Sequence, residues 1–494
     1  MGGQIRGDRV SLTALEGDVV NDRLSVAAGT SRDYRSYLDQ GGSISARDQL
    51  DIQAGRDVIN RGRLTSGADL SVTAGRDIVA GAVVDVSHWQ DARGRDRQDS
   101  ATTLGSTTTA GGDLTWQAGR DIAIDASQVL SSDDLVLAAG RDMAIVSGED
   151  SDASRDVSRR QITTTDSVTQ VGSTLEAGGS ASLSAGGDIG LLASRVEAGE
   201  GLGLVAGGDI TLASAANSSE SHTRKPNKTY DTRTVRQQGS ELAAGTDLTG
   251  AAGGDLTLVA STASAGDEAY LYDGGDVALL AANDEDYSRY EKNESGGLFG
   301  GDKHRLDEVQ DLRAQGSEIA SGGDLIIVSD GDQTYEGARL EAGNDLVLDS
   351  GGEITFAHAR DLHSETHEKS SSNAVWQSAK GEGETVETLR QSELVAQGER
   401  IIRAAQGVNV DIEQVDEQSI HQTITAMVEA DPSLAWLAEM EARGDVDWRE
   451  VKALHDQWDY DHSGMSAAAQ LVVAIVVAYF TAGAASELVA AAAS

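Results

Sequence analysis

A short acidic motif recurs along most of this chain and limits the folds that the chain can adopt. The motif reads Ala-Gly-x-Asp or Gly-Gly-Asp, and residues of alternating apolar character follow it. Acidic residues are often eight positions apart, as from Asp69 to Asp77, and runs such as Leu135-Val136-Leu137 lie between such pairs. Such runs predict short strands with one buried face. Copies of the motif end at Asp57, Asp77, Asp121, Asp142, Asp188, Asp209, Asp255, Asp276, Asp324 and Asp345.

Two longer periods predict how these strands are arranged. The motif recurs every 20 or 21 residues, as from Asp188 to Asp209, which indicates one coil of several short strands. A period of 67–69 residues, as from Asp121 to Asp188, is interpreted as two plain coils and a third that is enlarged by an insertion. An interval of eight residues is too short for the crossover that joins parallel neighbours, so each strand must stack on its equivalent one coil later. The predicted fold is therefore all-β, a right-handed parallel β-helix (solenoid) on the order of 60 Å long with a coil spacing of about 4.8 Å.

The composition agrees with a thin, repetitive core. The 57 Gly residues supply backbone angles for the corners, where Asp can bond the turn backbone. Small apolar residues fill a narrow interior, so aromatic residues make up only 4% of the chain. The net charge of −42 argues against nucleic acid as a partner. The lack of Cys in the sequence excludes disulfides and thiolate metal sites.

Five insertions interrupt the coils, near residues 87–109, 149–172, 217–238, 285–312 and 363–388. Each has a polar tip flanked by alternating Thr or Val, which predicts β-hairpins that leave the rod on one side. These insertions also collect the rare aromatic residues. We therefore predict that the hairpin tips contact a partner through Trp89, Tyr230, Tyr287, Tyr290, Phe299 and Trp376.

The pattern changes after the repeats, and three domains are predicted: the β-helix at 1–415, a helical segment at 416–464 and an apolar helix at 465–494. Asp431 and Pro432 suit the start of a helix that ends at Gly444. Asp445 is a candidate cap for a second helix, whose apolar positions would be Trp448, Val451, Leu454 and Trp458.

The apolar segment at 467–485 is long enough to cross a membrane. Nineteen residues at the helical rise extend about 28 Å, close to the thickness of the hydrocarbon layer. Length alone does not distinguish an inserting helix from a helix buried in a hairpin. In the first case the inserting side chains are Leu471, Val472, Val473, Ile475, Val476, Val477, Tyr479 and Phe480.

Few residues suggest chemistry, and a structural role is favoured for each. No catalytic residue and no cofactor is predicted. His363 and His367 are the best candidates for metal ligands, although a role as solvated residues of a hairpin is the favoured explanation. Residues 459–464 begin like a calcium-binding EF-hand loop, but its twelfth position would be Gln470 rather than Glu.

The Gly-Gly-Asp motif itself has two interpretations. Calcium-binding repeats read Gly-Gly-x-Gly-x-Asp, with the ion held between neighbouring turns. In this chain Asp follows the glycines directly, and it is replaced at Ser180, Gly201 and Val408. A structural turn is therefore favoured over a calcium site.

The repeats have a family resemblance. The segments 171–189, 238–261 and 315–332, the second of which reads QGSELAAGTDLTGAAGGDLTLVAS, resemble the haemagglutinin repeats of filamentous-haemagglutinin-like exoproteins. They look most like the second repeat block of CdiA-type contact-dependent growth inhibition effectors, over about residues 40–415. Residues 451–486 are similar to the junction at which such repeats give way to the pretoxin region.

This resemblance implies a secreted or cell-surface protein that is exported by an outer-membrane two-partner transporter. It implies a filament that meets the surface or outer membrane of a target cell and carries a C-terminal toxin, against which the producer has an immunity protein. Residues 1–6 lack the apolar stretch of a signal peptide, and no toxin-like sequence precedes Ser494. We therefore expect a non-enzymatic internal stalk segment with neither its export signal nor its toxin.

Two other functions stay open. A filamentous-haemagglutinin-type adhesin would bind glycans or proteins on a cell surface. A polysaccharide lyase on a parallel β-helix would need Asp clustered with Arg or Lys on one outer sheet, whereas the repeated Asp residues of this chain are predicted at corners.

Overall fold

A computed structural model describes residues 3–296, 302–372, 377–413 and 420–464. They form a solenoid with three rows of strands, and a separate sheet of hairpins that runs beside it. The first and second rows together make a 22-stranded sheet, and the third row makes a 13-stranded sheet. The prediction of a parallel β-helix with protruding hairpins and a short helical segment is confirmed.

The first row follows one side of the solenoid. Its strands are Arg63–Ser66, Thr107–Ala110, Gln128–Ser131, Thr174–Ala177, Arg195–Ala198, Glu241–Ala244, Thr262–Ala265, Glu318–Ser321, Arg339–Ala342 and Glu393–Ala396. The second row comprises Leu70–Ala74, Leu114–Ala118, Leu135–Ala139, Ala181–Ala185, Leu202–Ala206, Leu248–Ala252, Ala269–Asp273, Leu325–Ser329, Leu346–Ser350 and Arg400–Ala404. Two longer strands belong to both rows, Gln4–Ala14 and Ser43–Ala54.

The third row closes each coil. Its strands are Val19–Asn21, Val58–Asn60, Ile78–Ala80, Ile122–Asp125, Met143–Val146, Ile189–Leu192, Ile210–Ala213, Leu256–Val259, Val277–Leu280, Gln333–Glu336, Glu353–Ala357, Gly407–Glu413 and Val446–Val451. With one strand per coil, these 13 strands give a rod of about 58 Å at the usual strand spacing.

Side chains stack in columns because the strands pair in register. Leu70, Leu114 and Leu135, for example, occupy one column of the second row and are buried. The inward positions are mostly Leu, Ile, Val and Ala, as expected for a narrow core in which every second side chain points inward. One sequence interpretation was wrong. The interval from Asp121 to Asp188 contains two coils rather than three, because one plain coil and one coil with a hairpin already account for its 67 residues.

Each corner carries a ladder of side chain to backbone hydrogen bonds. Between the second and third rows, the Asp57 Oδ1 atom accepts from the backbone N–H of Asp77 at 3.3 Å, and equivalent bonds continue coil by coil to Glu353. A similar Asp ladder lies between the first and second rows. Between the third and first rows, buried serines do the same, as where the Ser127 hydroxyl accepts from Ser106 N–H at 2.9 Å. The corner Asp residues thus act as hydrogen-bond acceptors that join the turns of successive coils, a structural role.

The hairpins leave the solenoid after every second coil and pair with one another. Their strands are Ser25–Thr30 with Asp33–Leu38, Val83–Gln90 with Arg97–Leu104, Gly148–Val157 with Ile162–Val171, Ala215–Lys225 with Lys228–Gln238, Ala282–Glu294 with Asp302–Gln315, and Ala359–Ser372 with Gln377–Arg390. A further strand, His455–Gly464, completes a 13-stranded antiparallel sheet, named here the hairpin sheet.

The hairpin sheet is continuous because two spacings match. Two coils advance the rod by about 9.6 Å, and the two strands of one hairpin occupy the same distance. Every hairpin therefore reaches its neighbours without a gap. The five predicted hairpins are confirmed, whereas the hairpin at residues 25–38 and the pairing between hairpins were not foreseen.

Two helices cover the solenoid near its C-terminal end. Helix α1 spans Ile420–Ala430, a 3-10 turn spans Pro432–Leu434, and helix α2 spans Ala435–Arg443. The predicted start is confirmed, since the Asp431 side chain accepts from the Ser433 N–H, and Gly444 ends α2 with a φ of 76°. The Trp436 Nε1 atom donates to the Ser392 carbonyl at 3.2 Å, and Arg443 donates to the Ile402 carbonyl at 2.6 Å.

These contacts place the helices over the last strands of the first and second rows. Trp436 and Leu437 are buried in the same core as the solenoid interior, and Trp436 packs on Phe356 with ring centroids 4.7 Å apart. Helices in this position shield the open edges of the strands that they cover.

The predicted second helix after Asp445 is wrong. Residues Val446–Val451 and His455–Gly464 are strands that extend the third row and the hairpin sheet. The spacing of Trp448, Val451 and Leu454 suits a helix, but the open edges of two sheets lie next to this segment and bind its backbone. Among the described residues, no helix is long and apolar enough to cross a membrane. Residues 465–494, with the predicted inserting side chains, lie outside the described ranges.

Candidate functional site

The hairpin sheet has few buried side chains, and most of its residues are partly exposed. In the strand Ala282–Glu294, for example, Glu285 is the one buried residue of thirteen. A layer of this kind has no hydrophobic core of its own, so contacts between neighbouring strands stabilise it. It also presents many side chains to a partner, which makes it the first candidate for a functional surface.

Two of the predicted aromatic residues of this sheet, Tyr230 and Tyr290, form a pair that cations border. The Tyr230 and Tyr290 rings lie 4.9 Å apart on adjacent strands. The Lys225 ammonium lies 5.3 Å from the Tyr230 centroid, and the Arg305 guanidinium lies 5.6 Å from that of Tyr290. These distances are within the range of cation–π attraction.

Trp89 is 47% exposed and lies one residue before the end of its strand, close to the predicted tip. Tyr287 and Tyr290 lie instead in the middle of the strand Ala282–Glu294, so their assignment to a tip is wrong. The reason is the length of this hairpin, which continues well beyond both tyrosines. Phe299 and Trp376 lie outside the described residues. The contact of these aromatics with a partner stays a prediction.

A cleft of about 670 Å³ lies on the hairpin sheet between strands of three hairpins. The His222 ring pairs with Asp231 there, and the Arg233 guanidinium donates to the Glu285 carboxylate at 2.6 Å. The Tyr287 hydroxyl donates to a neighbouring glutamate at 2.9 Å, and burial together with this bond raises the pKa of Tyr287 to about 12. These charged groups are thus already paired with one another, and the cleft resembles a self-satisfied polar surface more than an acid–base site.

The histidines proposed as metal ligands are held by carboxylates. His363 and His367 lie on the extended strand Ala359–Ser372, where their Nδ1 atoms bond Asp311 at 2.6 Å and Asp307 at 3.0 Å. Within the described ranges, no group of three or more His, Cys, Asp or Glu residues could hold a metal ion. The EF-hand-like residues 459–464 lie in the strand His455–Gly464, and an extended backbone does not wrap around an ion.

Sequence reasoning missed four aromatics of this sheet as contact residues, Tyr34 and Tyr37 on the strand Asp33–Leu38 and Trp458 and Tyr460 on the last strand. Trp458 and Tyr460 stack on the strand His455–Gly464 with ring centroids 5.9 Å apart, opposite Gly383 and Gly381 of the neighbouring strand. A β-carbon at either glycine would lie 2.5–2.6 Å from the facing ring, so each glycine makes room for an aromatic side chain. The matching two-residue alternation of glycine and aromatic residues was the available signal.

Comparison with known proteins agrees with this architecture. The hemagglutinin repeat family matches residues 88–161, 157–235, 227–303 and 299–386, which together make up more than half of the chain. Every match contains at least part of a hairpin. The chain therefore belongs to the hemagglutinin repeat family. The predicted resemblance to the repeats of filamentous-haemagglutinin-like exoproteins is confirmed.

Three curated proteins named CdiA are similar to this chain. They are the tRNA nuclease CdiA of Escherichia coli strain STEC_O31, 28% identical over 60% of the chain, and the Deoxyribonuclease CdiA of Dickeya dadantii strain 3937, 28% identical over 60%. The 16S rRNA endonuclease CdiA of Enterobacter cloacae subsp. cloacae is 31% identical over 67% of the chain. The matched part spans about 10% of the length of each relative. No solved structure matches the chain.

Proposed function

We propose that the chain is a stalk segment of a contact-dependent growth inhibition exoprotein, which presents a toxin domain to neighbouring bacteria and helps to deliver it. One observation carries this proposal. The three relatives are named for different nucleic-acid substrates, yet each matches at least 60% of this chain, so their matched regions overlap. Because the named activities differ while the repeats are shared, the repeats supply a common, non-catalytic part.

The geometry suits reach and display. Register-locked coils form a stiff rod, and each added coil lengthens it by about 4.8 Å. In this proposal an outer-membrane two-partner transporter exports the protein, the rod stands at the cell surface, and the target is the surface or outer membrane of another cell. The toxin and its immunity protein belong to the complete system, and residues 467–485 supply a membrane contact.

Deletions in the full-length protein test the stalk role. Removal of residues 188–254 takes out one plain coil and one coil with a hairpin, so stacking and the alternation of hairpins are kept. We expect surface display and inhibition of neighbouring cells to persist. Removal of residues 188–231 cuts a hairpin in half and should abolish both. Normal inhibition by the second variant, or no inhibition of neighbours by the intact protein, would contradict the proposal.

A second candidate function is adhesion, and the exposure of Trp89 and Tyr230 on the hairpin sheet favours it. Binding of the purified chain to target cells would then depend on these rings. The double change of Trp89 and Tyr230 to Ala should abolish binding, with Val84→Ala, an exposed apolar position of the same sheet, as the matched control. Unchanged binding by the double variant would rule out these aromatics as the contact.

A further inference from the structure

The second row presents an unusual outer surface on five consecutive coils. We name it the acid-bordered face, and it comprises the outward side chains of Leu202–Ala206, Leu248–Ala252, Ala269–Asp273, Leu325–Ser329 and Leu346–Ser350. Register places these side chains in two columns. The first contains Gly203, Thr249, Tyr270, Ile326 and Val347, and the second contains Val205, Ala251, Tyr272, Val328 and Asp349.

This face exposes two tyrosine rings and a valine, whereas the earlier coils of the second row expose Val136, at 39%, and no aromatic residue. Val205 is 55% exposed, Tyr270 45% and Tyr272 36%. On an earlier coil of the same row, the equivalent outward residues are Ser182 and Ser184. Five strands of five residues cover about 17 Å by 19 Å at standard spacings, or roughly 300 Å². The exposed apolar and aromatic side chains occupy part of this area, and exposed apolar patches of a few hundred Å² on a monomer are often functional.

Carboxylates border the face on both sides. The residues before its strands include Asp247, Glu268, Asp324 and Asp345, and those at the following corner are Asp209, Asp255, Asp276, Asp332 and Glu353. No Lys or Arg of the described structure lies within ion-pair distance of Asp209, Asp255 or Asp276. In the sequence, the solenoid segments 196–214, 239–281 and 316–338 contain neither Lys nor Arg. An apolar strip is thus bordered by carboxylates that have no ion pair in the described structure. At the C-terminal edge of the face, Asp349 of the second column pairs with Arg403 at 3.2 Å.

The tyrosines of the hairpin sheet and those of the acid-bordered face differ in whether a cation of the chain lies over the ring. On the hairpin sheet, Tyr230 and Tyr290 are covered by Lys225 and Arg305. On the acid-bordered face, the rings of Tyr270 and Tyr272 have no cation over them within the described part of the chain. The negative face of an aromatic ring attracts a guanidinium or ammonium group, and Tyr is enriched where proteins bind one another.

We propose that the acid-bordered face docks a basic polypeptide segment. Arg or Lys side chains of the partner lie over Tyr270 and Tyr272 and reach the carboxylates on either side, while its apolar residues cover Val205, Ile326 and Val328. The area and the charge pattern fit a short extended segment of alternating basic and apolar residues. On the hairpin sheet, Lys225 and Arg305 of the chain lie over the tyrosines. On the acid-bordered face, the partner supplies the corresponding cations.

Calorimetric titration of the whole chain with a synthetic peptide tests this proposal. The probe is an eight-residue peptide of alternating Arg and Val, used at physiological ionic strength, and the control probe has Glu in place of Arg. We expect saturable binding of the Arg peptide alone. The variant Tyr270→Thr with Tyr272→Thr should weaken binding at least tenfold. It should fold because the small residues Thr249 and Ala251 occupy the two columns on the preceding coil. The matched control is Tyr230→Thr with Tyr290→Thr, which should leave affinity within twofold.

The charges make a separate test that leaves the tyrosines intact. Changing Asp255 and Asp276 to Asn should weaken binding and flatten its dependence on salt concentration. Failure of the Arg peptide to bind, or equal loss of affinity in both tyrosine pairs, would overturn the proposal, because the second result is that of diffuse attraction to a polyanion. Binding of a neutral oligosaccharide through Tyr270 and Tyr272, without binding of the peptide, would also overturn it.

Discussion

The corner between the second and third rows is built in two ways, one in each half of the rod. In the N-terminal half, an Arg precedes the corner Asp and pairs with the Asp of the preceding coil, as Arg120 does with Asp77. In the C-terminal half, a Gly takes the place of the Arg, as Gly254 does before Asp255. Asp188 is the first corner acid of the second kind.

The two kinds of corner differ in their hydrogen bonds. In the Arg corners, the bond from the backbone N–H of one Asp to Oδ1 of the preceding Asp is 3.3 Å long at Asp77, Asp121 and Asp142. In the Gly corners beyond Asp188 it is 2.7–3.0 Å. A β-carbon on Gly254 would lie 2.1 Å from Asp209 Oδ1. The space beside the residue that precedes the corner Asp therefore has one of two occupants. It holds the β-carbon of an Arg in the N-terminal half, and the Asp carboxylate of the preceding coil in the C-terminal half.

The difference also separates the halves electrostatically. The hydrogen bond from the Arg120 guanidinium holds the pKa of Asp77 below its ordinary value, and Asp77 raises that of Arg120. In the Gly corners the carboxylates follow one another at the coil spacing without a cation between them. The C-terminal half thus combines shorter hydrogen bonds with like-charge repulsion. The predictions that follow test this contrast, from the largest expected effect to the smallest.

The largest effect is expected at the buried Asp273, which adds a carboxylate beside the Gly corners. Burial raises its pKa to about 6 from the ordinary 3.8, and the charges of Asp255 and Asp276 act in the same direction. A carboxyl with a raised pKa stabilises the fold below the ordinary value, and this stabilisation is lost as the pH rises through about 6. The shift of about two units corresponds to about 3 kcal/mol.

We therefore expect Asp273→Ala to gain up to about 3 kcal/mol over the native chain above pH 6 and little near pH 3. Ala is the natural residue at this position of the preceding coil, Ala252. Hydrogen-exchange protection of residues 248–280, measured at both pH values, reports the change. A difference between the two proteins that does not depend on pH would contradict the raised pKa.

The next effect is steric. Gly254→Ala should destabilise its coil by about 2 kcal/mol, because the new methyl group meets the Asp209 carboxylate. The matched control is Gly190→Ala, where a β-carbon has nothing within 4 Å. Adding Asp209→Ala to the Gly254 variant should restore part of the loss. Hydrogen exchange of the coils on either side measures all three, and an equal loss in the control would disprove the explanation.

A smaller effect is expected for the ion pairs of the N-terminal half. Arg120→Ala should destabilise the fold only slightly, since the Arg120 side chain is exposed and solvent screens its pair with Asp77. A carboxyl with a lowered pKa stabilises the fold above its ordinary value, so this loss should be present at pH 7 and fade as the pH falls through the lowered pKa of Asp77. Arg120→Lys keeps the positive charge but lacks the two N–H donors with which the guanidinium holds the carboxylate. Its stability should therefore lie between those of the native chain and of Arg120→Ala. A loss that persists at low pH would point to packing instead.

The smallest effect concerns salt. Raising the ionic strength screens the unpaired carboxylates and should increase protection in residues 188–353 by a few tenths of a kcal/mol. In residues 57–142 the same salt also screens the Arg–Asp pairs, so protection there should stay level or fall. The two halves serve as controls for each other in one exchange experiment. If salt changed the protection of both halves equally, the proposed electrostatic difference between them would be wrong.

The sequence anticipated the solenoid well because its information is local and periodic. Corner residues such as Asp188 and Asp209 mark the turns directly, and the strands between them alternate in character. The same local logic found five hairpins and the helical start at Asp431, which caps the 3-10 turn that leads into α2. It failed at residues 446–464, where a helical spacing of aromatics was outweighed by sheet edges that only the folded chain presents.

The candidate surfaces were predicted less completely for a related reason. Composition located aromatic residues in the insertions, but their pairing with Lys225 and Arg305 depends on which hairpins become neighbours. The sequence did not predict a role for Tyr270 and Tyr272. In the sequence they are simply the outward positions on either side of the inward Leu271. Their exposure and their acidic borders exist only after five coils are stacked in register.

The sequence by itself thus determined the coil, its corners and the interior, because the plain coils repeat every 20 or 21 residues and the same motif returns after each hairpin. The tertiary structure decided the continuous hairpin sheet, the helical cover over the last coils, and the faces along the rod. The physical reason is spacing. Parallel stacking turns a short repeat into long columns of side chains, and the matched distance of two coils and two strands joins separate hairpins into one sheet.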